Sequence, residues 1–235
     1  PYIKRIITPS KSSKQGIVDE FNCNKANITV INNGLDTNEF SPVNEVTRNE
    51  FRLITTASAD VPLKGLDFSL KALKKLKKDF PNIHLIVIGL IKKGGHTEKL
   101  IKKLGLENDV TFKSNLTKNE IKDCYSKSSI AIVSSLYEGF GYPVIEAMSC
   151  EVPLIATNVS SIPELTSEFA KLVDPKNEEM IYQSVKDILA EYDKYKKIAI
   201  KGRQHVIKNF NWIKITGEYE NAIFETIKNF KNVNF

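Results

Sequence analysis

The chain has 235 residues, 41% of them hydrophobic, which supports a substantial core in one large domain or one and a half smaller ones and excludes a disordered chain. No apolar run approaches the roughly 20 residues needed to span a bilayer, and Pro1-Tyr-Ile-Lys-Arg5 leads into strand-like sequence with no secretory signal expected. The net charge of +6, from 34 Lys and Arg against 28 Asp and Glu, admits nucleic acid, an anionic membrane surface or nucleotide substrates as partners.

Arg5-Ile-Ile-Thr-Pro9 reads as a short strand, and Ser12 or Ser13 is expected to cap a helix running to about Asn22. Ile28 to Ile31 is a second strand that ends in an Asn32-Asn33-Gly34 turn. Residues 36–49 are polar, contain Pro42 and read as a linker. Phe51 to Ala57 then opens an alternating series. Leu66, Leu70, Leu73 and Leu76 recur at helical intervals over 66–78, after a loop through Asp60 to Gly65. Ile83 to Leu90 reads as a strand, followed by a Gly94-Gly95 turn and a helix from about Thr97 to Leu104. Val110 to Phe112 is a strand, and Thr117 with Glu120 three residues on makes a capping box for a helix over 118–126.

Ile130 to Leu136 has the continuous apolar character of a buried parallel strand. Leu154 to Thr157 is the next strand, with a short helix near Pro163 and a last strand over 170–174. Met180 to about Asn209 is mostly helical, and Trp212 to Phe230 is a final amphipathic helix. Strands alternating with helices imply right-handed crossovers and a parallel sheet with helices on both faces, the Rossmann-like α/β class. In such sheets ligands bind beyond the carboxyl ends of the strands. That places Ser58 to Gly65, Ser114 to Leu116 and Glu138 to Gly141 on one edge.

Cys23, Cys124 and Cys150 form an odd set without paired spacing and read as reduced core thiols of a cytosolic protein. His84, His96 and His205 are scattered, so no metal-ligand cluster is expected. The Asn-x-Ser/Thr triplets at Asn27, Asn115 and Asn158 read as chance matches. The lysines of 71–78 and 194–208 fall on outward helix faces without interleaved aromatics. A solvated face is the first reading of them, a membrane-facing patch the second, and a nucleic-acid surface the last.

The stretch that carries chemistry is Glu138-Gly-Phe-Gly-Tyr-Pro-Val-Ile-Glu146. Strand, glycine elbow and helix in that order aim unpaired N–H groups and the positive end of a helix dipole at the sheet edge, a place suited to phosphate. Pro143 fits the first helical turn, where its missing N–H costs nothing. Glu138 and Glu146 fit paired hydroxyls of a sugar or ribose; on spacing alone they equally fit a helix cap and a solvated residue. Lys64, beside Gly65 at a helix start, fits either a diphosphate or an exposed surface position.

Glu-x7-Glu with an internal Gly-Phe-Gly and a trailing Pro-x-x-Glu-Ala-Met resembles the signature of the retaining glycosyltransferases of family four, which have the GT-B fold. Val30-Ile-Asn-Asn-Gly-Leu-Asp-Thr-Asn-Glu-Phe-Ser-Pro42 resembles the segment joining that family's two domains. Val152 to Thr157 and Ser161-Ile-Pro-Glu164 resemble the strand and turn after its motif. The resemblance implies that residues 1–35 close an acceptor-side domain, 36–49 link the domains, 50–211 bind the donor and 212–235 form a C-terminal helix. It also implies a fragment lacking most of the acceptor-binding domain, in line with an opening residue other than Met.

By the same resemblance the donor is a nucleotide-sugar, UDP- or GDP-linked, and no cofactor or metal is needed. Glu146 would hold the ribose, and Glu138 the transferred sugar with Lys64 on the diphosphate, these two being the catalytic pair. Backbone groups at Phe140 and Gly141 would meet the sugar or phosphate, with Phe140 equally readable as a core plug. Leu116 would bind the base through its main chain, and Gly89 would leave room at the pocket edge. Ser58 stands where the family commonly has an arginine, and Arg5 and Arg52 are the candidate substitutes. Two other readings stay open: a non-catalytic donor-binding subunit with a separate acceptor chain, and a sugar-nucleotide epimerase of the same fold. The expected location is cytoplasmic, with peripheral membrane contact through the absent half.

Overall fold

The computed structural model describes residues 5–43, 46–58 and 60–231. Residues 1–4 of the expected opening unit and 232–235 of the expected C-terminal helix lie outside the described residues. A two-stranded parallel sheet pairs β1 (Ile6–Thr8) with β2 (Ile28–Val30), with α1 (Lys11–Phe21) between them. The cap of α1 is Ser10, not Ser12 or Ser13. Ser10 has extended dihedrals and its hydroxyl accepts the Ser13 N–H, which puts the other two serines inside the first turn.

The second sheet has six parallel strands in the order β5-β4-β3-β6-β7-β8. They are β3 (Asn49–Thr56), β4 (His84–Ile88), β5 (Val110–Lys113), β6 (Ser128–Val133), β7 (Leu154–Thr157) and β8 (Lys171–Val173). The crossover helices are α2 (Leu66–Asp79), α3 (His96–Leu104), α4 (Lys118–Ser126), α5 (Tyr142–Ser149) and α6 (Ile162–Thr166); after β8 come α7 (Glu178–Ala190), α8 (Tyr192–Phe210) and α9 (Trp212–Lys231). The central strand stops at Val133 rather than Leu136, because Ser134, Ser135 and Leu136 are committed to bonds with loops.

Alternation along the strands divides the core in two. Leu53, Leu85, Val87, Ile130, Ile132 and Ile155 face α2 and α7, whose Leu66, Leu70, Leu73, Leu76, Ile181, Val185 and Ile188 cover them. Ile54, Ile86, Ala131, Val133, Leu154 and Ala156 face the other way, toward Val144, Ile145 and Met148 of α5 and Val206 and Phe210 of α8. Each fully buried leucine of α2 contributes about 2 kcal/mol. Two guanidinium groups staple the layers. Arg48 donates to the carbonyls of Tyr125, Ser128, Cys150 and Glu151, and Arg203 to those of Thr37, Phe40 and Ser149.

The strand order reverses between β3 and β6. From β3 the chain winds outward through β4 and β5, then crosses back to β6 and winds the other way. The loops after these two neighbours therefore diverge and leave a crevice at the carboxyl edge.

Candidate functional site

Both loops at that crevice are built by local constraints. After β3 a short 3-10 turn (Pro62–Lys64) ends on Gly65, whose φ of +61° lies in the left-handed region. A Cβ there would stand 2.0 Å from the Ser134 carbonyl oxygen, so only glycine lets the loop lie against the end of β6. The Ser134 hydroxyl donates to the Gly65 carbonyl at 2.9 Å, and the Leu136 N–H to that of Leu63 at 2.7 Å. This seating brings Lys64 Nζ to 2.7 Å from Glu138 Oε1. Ser135 Oγ donates to the same oxygen at 2.7 Å. Glu138 is buried and does not cap α5, which removes one of the alternatives left open by its spacing.

The elbow continues through Gly139 and Phe140 to Gly141, at φ +110°, which opens α5 without a side-chain cap. The N–H groups of Gly139, Phe140, Gly141 and Tyr142 donate no hydrogen bond among the described residues. Here α5 presents its positive dipole end to the crevice. The Phe140 side chain is the core plug: it packs edge-on against Phe210 and Tyr142, with ring centroids 6.1 and 5.4 Å away. Its backbone N–H stays at the elbow.

Glu146, on α5, is not a solvated residue. Tyr125 of α4 donates its hydroxyl to Glu146 Oε2 at 3.2 Å, and Thr56 Oγ1 lies 3.2 Å from the same tyrosine oxygen. Burial pushes the Glu146 carboxyl up to about 7, with the Tyr125 hydrogen bond opposing the rise. Burial likewise pushes the Tyr125 hydroxyl well above its ordinary range, which keeps it a donor.

The remaining expected residues follow the adjacent strands. Gly89, just after β4, packs on the end of β3, where a Cβ would stand 2.2 Å from the Ala57 carbonyl oxygen and 3.2 Å from Ser58 Cα. It serves strand packing first. Ser58 is exposed in the loop after β3. Leu116, between β5 and α4, lines a polar cavity of about 520 Å³ with Arg52, His84, Thr111, Lys113 and Glu120, which none of the elbow residues line. Neither candidate substitute for the missing arginine reaches the elbow: Arg5 donates to the Ala222 carbonyl at 2.8 Å, and Arg52 faces that cavity. Sequence reasoning passed over Tyr125 and Ser135, and took Ser161, whose hydroxyl meets the Glu138 and Phe140 carbonyls, only as part of the turn after the motif. The serine pair of 134–135, just ahead of Glu138, was the signal within reach. Among the described residues no group of three His, Cys, Asp or Glu side chains is placed to hold a metal ion, and no helix is long and apolar enough to cross a membrane.

The chain is thus a doubly wound α/β unit whose switch point carries a glycine elbow flanked by two carboxylates and a lysine. The chain belongs to the glycosyl transferases group 1, whose family model matches residues 38–205. It is 31% identical over 228 residues to the MMP alpha-(1->4)-mannosyltransferase of Mycolicibacterium hassiacum, covering 94% of this chain and 55% of that protein. It is 30% identical over 185 residues to the O-antigen chain mannosyltransferase RfbU of Salmonella typhimurium, covering 79% and 51%. A solved glycosyltransferase from Rickettsia africae superposes with a TM-score of 0.84 at 26% identity, covering 96% of this chain and 64% of that one. The chain thus spans about half the length of the curated relatives it matches, and its sheet is that of one half of a GT-B fold.

Proposed function

We propose that this chain holds the nucleotide-sugar donor of a retaining hexosyltransferase, with the acceptor bound by a further domain or chain. The observation that carries this is the meeting of Lys64 and Glu138 at the switch point, beside an elbow whose N–H groups have no partner among the described residues. A donor diphosphate would lie against those N–H groups and Lys64, where the fixed dipole and the ammonium offset the charge that grows on the departing phosphate. Glu138, anchored by Lys64 and Ser135, would take hydroxyls of the sugar, and Glu146 those of the ribose. Retention would follow from front-face departure, with the leaving phosphate helping to deprotonate the acceptor. The carboxylate at the elbow, Glu138, is tied to Lys64 and Ser135 and is not assigned the part of a double-displacement nucleophile.

Both curated relatives named above are mannosyltransferases, which puts mannosyl donors first in any test. The exposed apolar side of α9, with Ile213, Ile223, Phe224 and Ile227, supports a covering acceptor-side partner, in the same polypeptide or a separate subunit.

Calorimetric titration with UDP, GDP, ADP and their hexose conjugates tests the reading. One base should bind, and Glu146→Ala and Lys64→Ala should each weaken it by about 10- to 100-fold, since each removes charge-assisted hydrogen bonds. Binding unaffected by both substitutions would place the donor elsewhere. Epimerisation of the bound sugar without an acceptor would instead assign the site to an epimerase.

A further inference from the structure

Three consecutive carbonyls of the elbow are held from outside it. The Ser161 hydroxyl lies 2.8 Å from the Glu138 carbonyl oxygen and 2.6 Å from that of Phe140. The carbonyl between them, Gly139, lies 2.8 Å from Ser10 Oγ and 3.0 Å from Ser13 Oγ; it accepts from Ser13, while Ser10 has one hydrogen to share between this carbonyl and Ser13 Oγ, 2.9 Å away. A trans peptide unit is planar, with its C=O and N–H pointing in opposite directions. Holding the carbonyls of 138, 139 and 140 therefore fixes the directions of the N–H groups of 139, 140 and 141, away from the serines. Those N–H groups donate no hydrogen bond among the described residues.

The middle peptide unit is governed from a different part of the chain. Ser10 and Ser13 cap and open α1, which lies between the strands of the two-stranded sheet. The seat of α1 is set in turn by Glu164 of α6, whose two carboxylate oxygens accept the N–H groups of Lys11 at 2.9 Å and Ser12 at 2.8 Å. A carboxylate at that end of a helix satisfies two otherwise unpaired donors and meets the positive end of the dipole.

We propose that Ser10, Ser13 and Glu164 are positioning residues that aim the Phe140 N–H at the donor's terminal phosphate, so that donor affinity depends on how the two-stranded unit is seated. This rests on the donor-site reading above. It adds a coupling that the elbow residues alone do not carry: displacement of α1 frees the Gly139 carbonyl, lets that peptide unit rotate and removes one N–H from the phosphate.

Comparing nucleoside diphosphate with nucleoside monophosphate isolates this effect. A monophosphate keeps the base and ribose contacts and lacks the terminal phosphate. Wild type, Ser13→Ala, Ser13→Thr, Glu164→Gln and Glu146→Ala are titrated with UDP, UMP, GDP and GMP by calorimetry, with a thermal melt of each. Ser13→Ala should lower diphosphate affinity about fivefold to tenfold, the worth of one hydrogen bond, and leave monophosphate affinity unchanged. Ser13→Thr, which keeps the hydroxyl, should restore it, and Glu164→Gln should move it the same way by less. Should Ser13→Ala melt early, Glu164→Gln carries the comparison, because its amide oxygen can still accept from α1. Equal losses for both nucleotides, or none for either, while Glu146→Ala weakens both, would overturn the coupling alone. A wild-type chain that binds no nucleotide would overturn the donor site and the coupling together.

Discussion

The Glu146 carboxyl stands at about 7 because its place on α5, under α4, strips away water faster than the single Tyr125 hydroxyl replaces it. Its folded value lies above the ordinary 4.5, so the sign is that of a group favouring the fold when protonated. Below pH 4.5 it is protonated in both states and has no effect. Between 4.5 and about 7 the unfolded chain ionises while the folded one does not, so stability falls. Above 7 the loss is constant at about 3 kcal/mol. On the proposed reading Glu146 accepts ribose hydroxyls, best as the ionised carboxylate, so donor affinity should rise, up to about tenfold per pH unit, as pH climbs toward 7. Glu146→Gln is expected to flatten that rise and to raise the melting temperature at pH 8 by on the order of 5 °C, with no gain at pH 4. Calorimetry across pH and paired melts check both halves. A variant less stable than wild type at pH 8 would show that the carboxylate is better solvated than its burial implies.

At the level of elements, Thr117 links a local sequence rule to the site. Its hydroxyl accepts the Glu120 N–H, and the Glu120 carboxylate accepts the Thr117 N–H in return, closing the box expected from spacing alone. Thr117→Ala should cost about 1 kcal/mol in a urea melt. Because α4 carries Tyr125, it should also weaken nucleotide binding by a smaller factor than Glu146→Ala; an unchanged midpoint would mean the cap is redundant. Elements defined by such short-range chemistry were legible: the leucine face of α2, the bounds of β7, the glycine elbow and Pro143 at the start of α5. What was not legible depends on distant partners. Ala190 and Tyr192 are separated by no proline or glycine, yet the helix read as one breaks at Glu191, because α7 packs on α2 while α8 turns to pack on α5. Spacing marked Glu138, Glu146 and Lys64 as candidates, and the family resemblance gave them roles. Tyr125, Ser161 and Ser10 could not be marked that way, since only the topology brings them to the motif.

Across the whole molecule, the segment read as a polar linker is better fixed than its composition suggests. Phe40 is buried, the Thr37 and Phe40 carbonyls are held by Arg203, and the Leu35 N–H donates to the Phe210 carbonyl at 2.7 Å. The two-stranded sheet is held by α9: Ile31, Ile215 and Ala222 form a small core of their own, Arg5 donates to the Ala222 carbonyl, and the Trp212 ring lies where a side chain on Gly34 would stand. That core shares no buried residue with the two that line the large sheet. Removing the chain from Trp212 onward should therefore expose Ile31 and loosen β1, β2 and α1, while β3 to β8 keep their packing on α2, α5, α7 and α8. Amide hydrogen exchange reads this directly, because protection is lost in cooperative units that follow buried contacts. The truncated chain should lose protection over 6–30 and retain it over 84–88 and 128–133. Loss over both sheets together would mean that α9 supports the whole molecule as one cooperative unit. If only the small unit loosens, diphosphate affinity should fall with it, since Ser10 and Ser13 would no longer hold the Gly139 carbonyl.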